Sequence, residues 1–464
     1  MPQTQPQISR PGLLRQLGFF SATALVISNM VGTGIFATTG FMAGDLGSAA
    51  LIIACWSAGA LFAFAGALSY SELGVNFPSS GGEYVYLTQA FGPEWGFMTG
   101  WVSFFAGFSA PIAVTALAFT EYLSHFFPAI EQANSRIALG SGMLSLHLGP
   151  AQAAACCLIA LLTILNCVGV GITSKVQNSL TTTNLCVLTG FVVLGLTVGT
   201  GSWGHFSQHA VRTSTASLPA QFAISLLWVM FGYSGWNAAT YVAEEVRRPE
   251  RTLPAALAAG SALVAVLYLG LNVVYIYSTP LEQMKGVIKV GALAASNLFG
   301  PGIAGAFSAL MALSIVATVN AELTIGPRVY FAMAKNRAFF PAAGTVHPRY
   351  HTPVVAIISQ GLCAMLMTLT SFRDLLTYIG MSLTIFTVLS VVALMVLRRK
   401  RASWQRLKAI DFAYPLLPVS YILVGAGMVI FGIKEATVAS LTAFATVGAG
   451  ALVYHFALRP RPHA

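Results

Sequence analysis

Runs of about 20 predominantly apolar residues, the length a helix needs to cross a bilayer, recur along nearly the whole of this chain. No other property constrains its fold so strongly. Of 464 residues 56% are hydrophobic and 8% charged, whereas soluble domains carry about 25% charged residues. That balance excludes a disordered chain, a disulfide-rich secreted module and most soluble enzymes. It predicts an all-α polytopic membrane protein whose principal surroundings are the lipid bilayer. A net charge of +10 would suggest nucleic acid in a soluble protein; here its distribution across the membrane has to be read first, and no nucleic-acid partner is expected.

The six cysteines all fall in apolar segments without zinc-ligand spacing and read as small packing residues. The polar N-terminal stretch runs into an apolar segment too long for a cleaved signal peptide, so the first span is expected to be retained. Twelve apolar segments are centred near Ile27, Leu61, Phe108, Ile159, Val187, Ser225, Val264, Leu310, Ala356, Val388, Leu423 and Ala445. Their connections, the longest around residues 125–150 and 201–218, are too short for a separate soluble domain. The positive-inside rule tests the count. With the N-terminus inside, 18 of the 24 basic residues are cytoplasmic, and Arg136, Arg212, Lys285, Lys289, Arg373 and Lys434 fall outside. The expected location is the cytoplasmic membrane, with both termini cytoplasmic.

Two spans carry glycine patterns that break helices. The first reads Ser28-Asn29-Met30-Val31-Gly32-Thr33-Gly34-Ile35-Phe36, and the sixth Phe231-Gly232-Tyr233-Ser234-Gly235-Trp236-Asn237. Glycines also serve close packing between membrane helices. Breaks in the first and sixth of twelve spans, however, open successive five-helix halves, the arrangement of an inverted repeat with a midplane binding site. Unwinding at Gly32–Gly34 frees N–H groups at the head of a half-helix, where an anion is favoured. Unwinding at Phe231–Gly235 exposes carbonyls, where a cation is favoured. A zwitterion of α-amino-acid size satisfies both ends with no fixed side-chain charge.

The run Ser28 to Phe36 resembles the first-span signature of the amino acid–polyamine–organocation transporters. Tyr70-Ser71-Glu72-Leu73-Gly74 with Phe77 through Tyr86 is similar to their second loop, and Phe231 to Trp236 with Glu244-Glu245 and Pro249 to Pro254 to their sixth span and its exit. Arg328, Ala334 to Arg337, Pro341, His347 to Arg349 and Thr352-Pro353 resemble the end of their eighth span. These pieces run in order from about residue 18 to 400, with the L-type amino acid transporter branch nearest in character. The resemblance implies a leucine-transporter-type fold of twelve helices working by alternating access. That is a cytoplasmic tail at 1–16, a first repeat of helices 1–5 at 17–200, a second of helices 6–10 at 218–400, helices 11–12 at 410–457, and a tail at 458–464. It further implies a substrate carboxylate on the amides of Gly32, Thr33 and Gly34, an amine on carbonyls of Met30, Phe231, Gly232 and Ser234, and Phe231 as an aromatic gate.

Many relatives carry a fifth-span lysine whose ammonium stands where others hold sodium; here Asn184 occupies that position, and Lys175 is more than two turns away. Gln177, Thr181 and Asn184 share a face, either a coupling site or polar glue between helices. Ser314, Thr318 and Glu322 form a stripe on the eighth span, with Glu322 where the family has a small residue. An ionisable group inside a span is a functional candidate by default, set against a structural ion pair with Arg328. Asn184 and Glu322, with Thr318, are therefore expected to replace the lysine, binding a proton, sodium or a substrate amine. Glu72, Glu83, Glu244 and Glu245 are expected to partner basic cytoplasmic residues. Phe105, Ser109 and Ser314 are candidate selectivity positions by depth and period. No catalytic residues, metal site or cofactor are expected. The function expected is amino-acid transport by exchange or proton coupling. A polyamine or cationic amine carrier or exporter is the nearest alternative, and an intramembrane enzyme or a transporter-like sensor lies further off. The substrate's side chain and any accessory subunit stay open.

Overall fold

The computed structural model describes residues 15, 17–79, 81–131, 137–139, 146–168, 170–350 and 352–458. Most of both expected tails, and the side chains of Lys175 and Gln177, lie outside the described residues. Each of the twelve expected centres falls on a helix. Nine helical segments among the described residues are long and apolar enough to cross a bilayer, and shorter apolar helices at Thr181–Thr197, Leu218–Gly232 and Val354–Met367 cover the remaining centres. The chain is thus a polytopic, nearly all-α membrane protein. Two elements were not anticipated: an antiparallel hairpin of β1 (Ile137–Leu139) and β2 (Leu146–Leu148), and a short apolar helix, Val290–Phe299, before the eighth span.

The first span is two helices, α1 (Phe19–Met30) and α2 (Gly34–Leu46), with Val31, Gly32 and Thr33 outside both. The long α3 (Ala49–Asn76) follows, then α4 (Glu83–Phe91). The third span begins as α5 (Pro93–Val102), widens into a π-helical stretch over Ser103–Ser109, and continues as α6 (Ala110–Leu123). Next come α7 (Pro150–Val168) and α8 (Val170–Thr197). The sixth span starts as α9 (Leu218–Gly232), passes through an irregular segment, and resumes as a tight 3-10 helix at Ala238–Glu245. Phe231 and Gly232 therefore lie in the last turn of α9, and the irregular segment starts at Tyr233, a little later than expected. The remaining helices include α10 (Pro249–Ser278), α11 (Leu281–Met284), α12 (Val290–Phe299), α13 (Pro301–Lys335), α14 (Val354–Met367) and α15 (Phe372–Lys400). Short α16 (Lys408–Asp411) leads to α17 (Leu416–Glu435) and α18 (Thr437–Val453).

Helix α15 is clamped at both ends by buried charge. At its end, Arg398 donates from Nε and Nη2 to Glu72 on α3 at 2.5 and 2.7 Å. Trp404 Nε1 and the Leu407 N–H complete the carboxylate's shell at 2.6 and 3.0 Å. Glu72 is fully buried, so these donors stand in for the water it has lost. At the start of α15, Arg373 donates to Asp45, the buried carboxylate near the end of α2. Thr213 Oγ1 and Gln221 Nε2 also donate to Asp45, at 2.9 and 3.4 Å, and Arg212 Nε donates to its carbonyl at 2.9 Å.

Removing one partner of a buried ion pair leaves an uncompensated charge, typically a loss of about 3–5 kcal/mol. Arg398→Ala is expected to destabilise the protein by about that amount, measured by equilibrium unfolding in mixed detergent micelles. An unfolding midpoint unchanged from wild type would show that Glu72 does not depend on this guanidinium.

Candidate substrate site between two broken helices

The two interrupted spans touch at glycine. A Cβ added to Gly34 would lie 2.3 Å from the Gly232 Cα, and one added to Gly235 would lie 2.6 Å from the Asn29 carbonyl carbon. Gly235 also has a φ of 101°, a conformation that only glycine adopts without strain. Glycine is thus required on both sides for the break of one span to seat against the break of the other.

Polar groups hold the open backbone. The Tyr268 hydroxyl on α10 donates to the Met30 carbonyl at 2.5 Å, and Thr318 Oγ1 on α13 donates to the Val31 carbonyl at 2.9 Å. The Phe231 carbonyl accepts the Ser234 N–H at 3.0 Å. The Phe231 carbonyl also accepts from the Tyr233 N–H, so two of the carbonyls expected to meet a substrate amine already carry internal donors, and Met30 keeps one lone pair free. Behind the breaks, Trp56 on α3 packs edge-on against Tyr233 and Tyr268, with ring centroids 5.7 and 5.5 Å apart. On the other side, α2 begins at Gly34, and the first N–H groups of a helix have no partner within it. The Thr33 hydroxyl beside them is buried and has no hydrogen-bond partner among the described residues.

A cavity of about 270 Å³, counted as all atom-free space including any that opens to solvent, lies at the breaks and is lined by Met30, Gly32, Thr33, Gly34, Thr318 and Glu322, among others. A larger one of about 920 Å³ on the same measure is lined by Glu83, Phe108, Tyr241, Glu322 and Thr384, among others. Asn29, Phe231, Ser234 and Glu322 line both. Gly232 lines neither, its role being the contact with Gly34.

Several expected positions sit elsewhere. The third-span residues facing the larger cavity are Thr99, Val102, Ser103, Gly107 and Phe108. Phe105 packs at a tilt against Trp101 and edge-on against Phe104, and Ser109 and Ser314, whose hydroxyls are buried, line neither cavity. The π-helical stretch explains the slip, because its wider turn shifts the face that a regular 3.6-residue period would predict. Asn184 is buried with its Oδ1 unpartnered among the described residues, and it lines neither of the cavities that Glu322 faces. Glu72 has the basic partner expected of it, but Glu83 does not. Glu83 accepts from Asn237 Nδ2 at 2.5 Å, because the resumed sixth span brings that amide against α4. Tyr268, Trp56, Asn29 and Asn237 escaped sequence reasoning; only Asn29 and Asn237, inside the two glycine motifs, offered a signal.

Residues 17–452 match the family model described as amino acid permease. The chain belongs to the amino acid permease family. Among its relatives, the large neutral amino acids transporter small subunit 2 of Oryctolagus cuniculus is 28% identical over 450 residues, covering 95% of this chain and 80% of that protein. The serine/threonine exchanger SteT of Bacillus subtilis is 28% identical over 418 residues, covering 88% and 89%. The Asc-type amino acid transporter 1 of Homo sapiens is 28% identical over 434 residues, covering 91% and 78%. These relatives are transporters or exchangers, not enzymes.

An added methyl group at Gly34 must displace the sixth-span backbone. Gly34→Ala is expected to lower stability by about 1–3 kcal/mol, the usual range for overpacking, read as a reduced melting temperature in detergent. An unchanged melt would mean the two breaks do not pack as described.

Proposed function

We propose that this permease carries amino acids across the cytoplasmic membrane by alternating access, exchanging one for another across a site at the two broken helices. The observation that supports this reading is the Gly34–Gly232 contact, beside which Met30, Thr33, Gly34 and Ser234 line one small cavity. Gly32, Thr33 and Gly34 offer the positive end of α2 to a carboxylate. The remaining lone pair of Met30, with the carbonyl of Ser234, receives the amine, and Phe231 closes over it. A substrate with only one of these charges leaves the other wall unpaired. The name of the Bacillus subtilis relative favours exchange over ion coupling. Exchange needs no proton or sodium, and so no substitute for the fifth-span lysine at Asn184.

Nine long helices with three shorter ones support the twelve-span, two-repeat arrangement, with the basic residues labelling the cytoplasmic side. On that orientation the Asp45–Arg373 cluster is the external closure of the pathway, and the larger cavity lies on the cytoplasmic side of Phe231. This describes a carrier closed to the outside. The cluster must then part for the site to open outward.

In proteoliposomes preloaded with unlabelled amino acids, uptake of a labelled one is expected to rise severalfold over empty vesicles. No stimulation by any of the standard amino acids would sink the proposal. Arg373→Ala is expected to speed labelling of a cysteine placed at Gln221 by an external, membrane-impermeant thiol reagent at least twofold, in a variant lacking the six native cysteines. An unchanged labelling rate would remove Asp45–Arg373 from the gate.

A further inference from the structure

Glu322 is the anomaly in an otherwise weakly charged core. Its Oε2 is buried and has no hydrogen-bond partner among the described residues. The ion pair with Arg328 is not formed, since Arg328 Nη1 turns to the Thr324 carbonyl at 3.5 Å. The carboxyl lies where the small cavity at the breaks meets the larger one and lines both. Neither cavity is lined by a lysine, arginine or histidine, and the larger contains a second carboxylate, Glu83, whose partner is the neutral amide of Asn237. A buried carboxylate without a counter-charge is unfavourable, so the occupant of these cavities is the natural source of one.

We propose that Glu322 pairs with a cationic group at the end of the substrate's side chain, making this a carrier of basic amino acids. This rests on the amino-acid reading above and goes further, because the names of the three relatives given above specify no basic substrate. Two features favour a side-chain cation over the α-amine. Thr318, which holds the Val31 carbonyl, is four residues before Glu322 on α13, which is about 6 Å along a helix. The α-amine, bonded next to the carboxylate, stays at the break, whereas a side-chain ammonium or guanidinium spans such a gap. The larger cavity beyond Glu322 supplies room for that chain. The Gly34 end favours an amino acid over a diamine, because its free N–H groups and the unpartnered Thr33 hydroxyl call for a carboxylate that a polyamine lacks.

The discriminating pair is lysine and norleucine, which differ by the terminal ammonium. Each is tested as a competitor of labelled amino-acid counterflow in proteoliposomes holding the full chain. Lysine is expected to compete at least tenfold better than norleucine in the wild type. Glu322→Gln is expected to reduce that ratio about tenfold, and Glu322→Asp to retain most of it. Norleucine competing as well as lysine in the wild type would overturn the proposal without any variant, as would a ratio unchanged in a folded Glu322→Gln protein. Failure of every amino acid to compete, neutral or basic, would instead strike the broader transport reading.

Discussion

The approach of the Gly34 and Gly232 backbones organises this protein. A membrane interior offers little water to an interrupted helix, so unpaired N–H and carbonyl groups survive only where protein or a polar cavity meets them. Here each break is buried against the other, and the neighbouring helices contribute hydroxyls at Tyr268 and Thr318 to the loose carbonyls. A small cavity lies where the two breaks meet, so the requirement that threatens the fold also frames the candidate site.

Charge is handled in two different ways. At the ends of α15, Glu72 and Asp45 are buried among donors from several elements, so they hold helices together. Between the two cavities, Glu322 has no such shell around its Oε2 among the described residues. A carboxylate saturated by the protein is structural, whereas one left without donors beside a cavity is available to a ligand. The contrast separates clamps from site more clearly than burial does, since both kinds are largely out of water.

The two interruptions that frame the candidate site were legible because the glycine motifs at residues 28–36 and 231–237 state where a helix must break. The helical centres were legible for a similar reason, as apolar length is a local property. The third span was misjudged at Phe105 and Ser109 because a π-helical turn leaves no mark in hydrophobic period. Glu83 was assigned a basic partner from its place in a loop, yet the fold gave it Asn237 instead, 154 residues away in the chain. Asn184 takes the lysine's position along the fifth span, but it lines neither of the two cavities that Glu322 faces.

The amino-acid sequence by itself determined a membrane protein with repeated helical spans, two of them broken, and an ionisable residue at Glu322. These follow from composition, run length and glycine placement, which act within a single span. Only the tertiary structure decided that the breaks meet at Gly34 and Gly232, that Tyr268 and Thr318 hold them, and that Glu322 stands unpaired between two cavities. Those outcomes depend on which helix faces which across the bundle. That is a matter of side-chain packing between distant segments, and no local pattern records it.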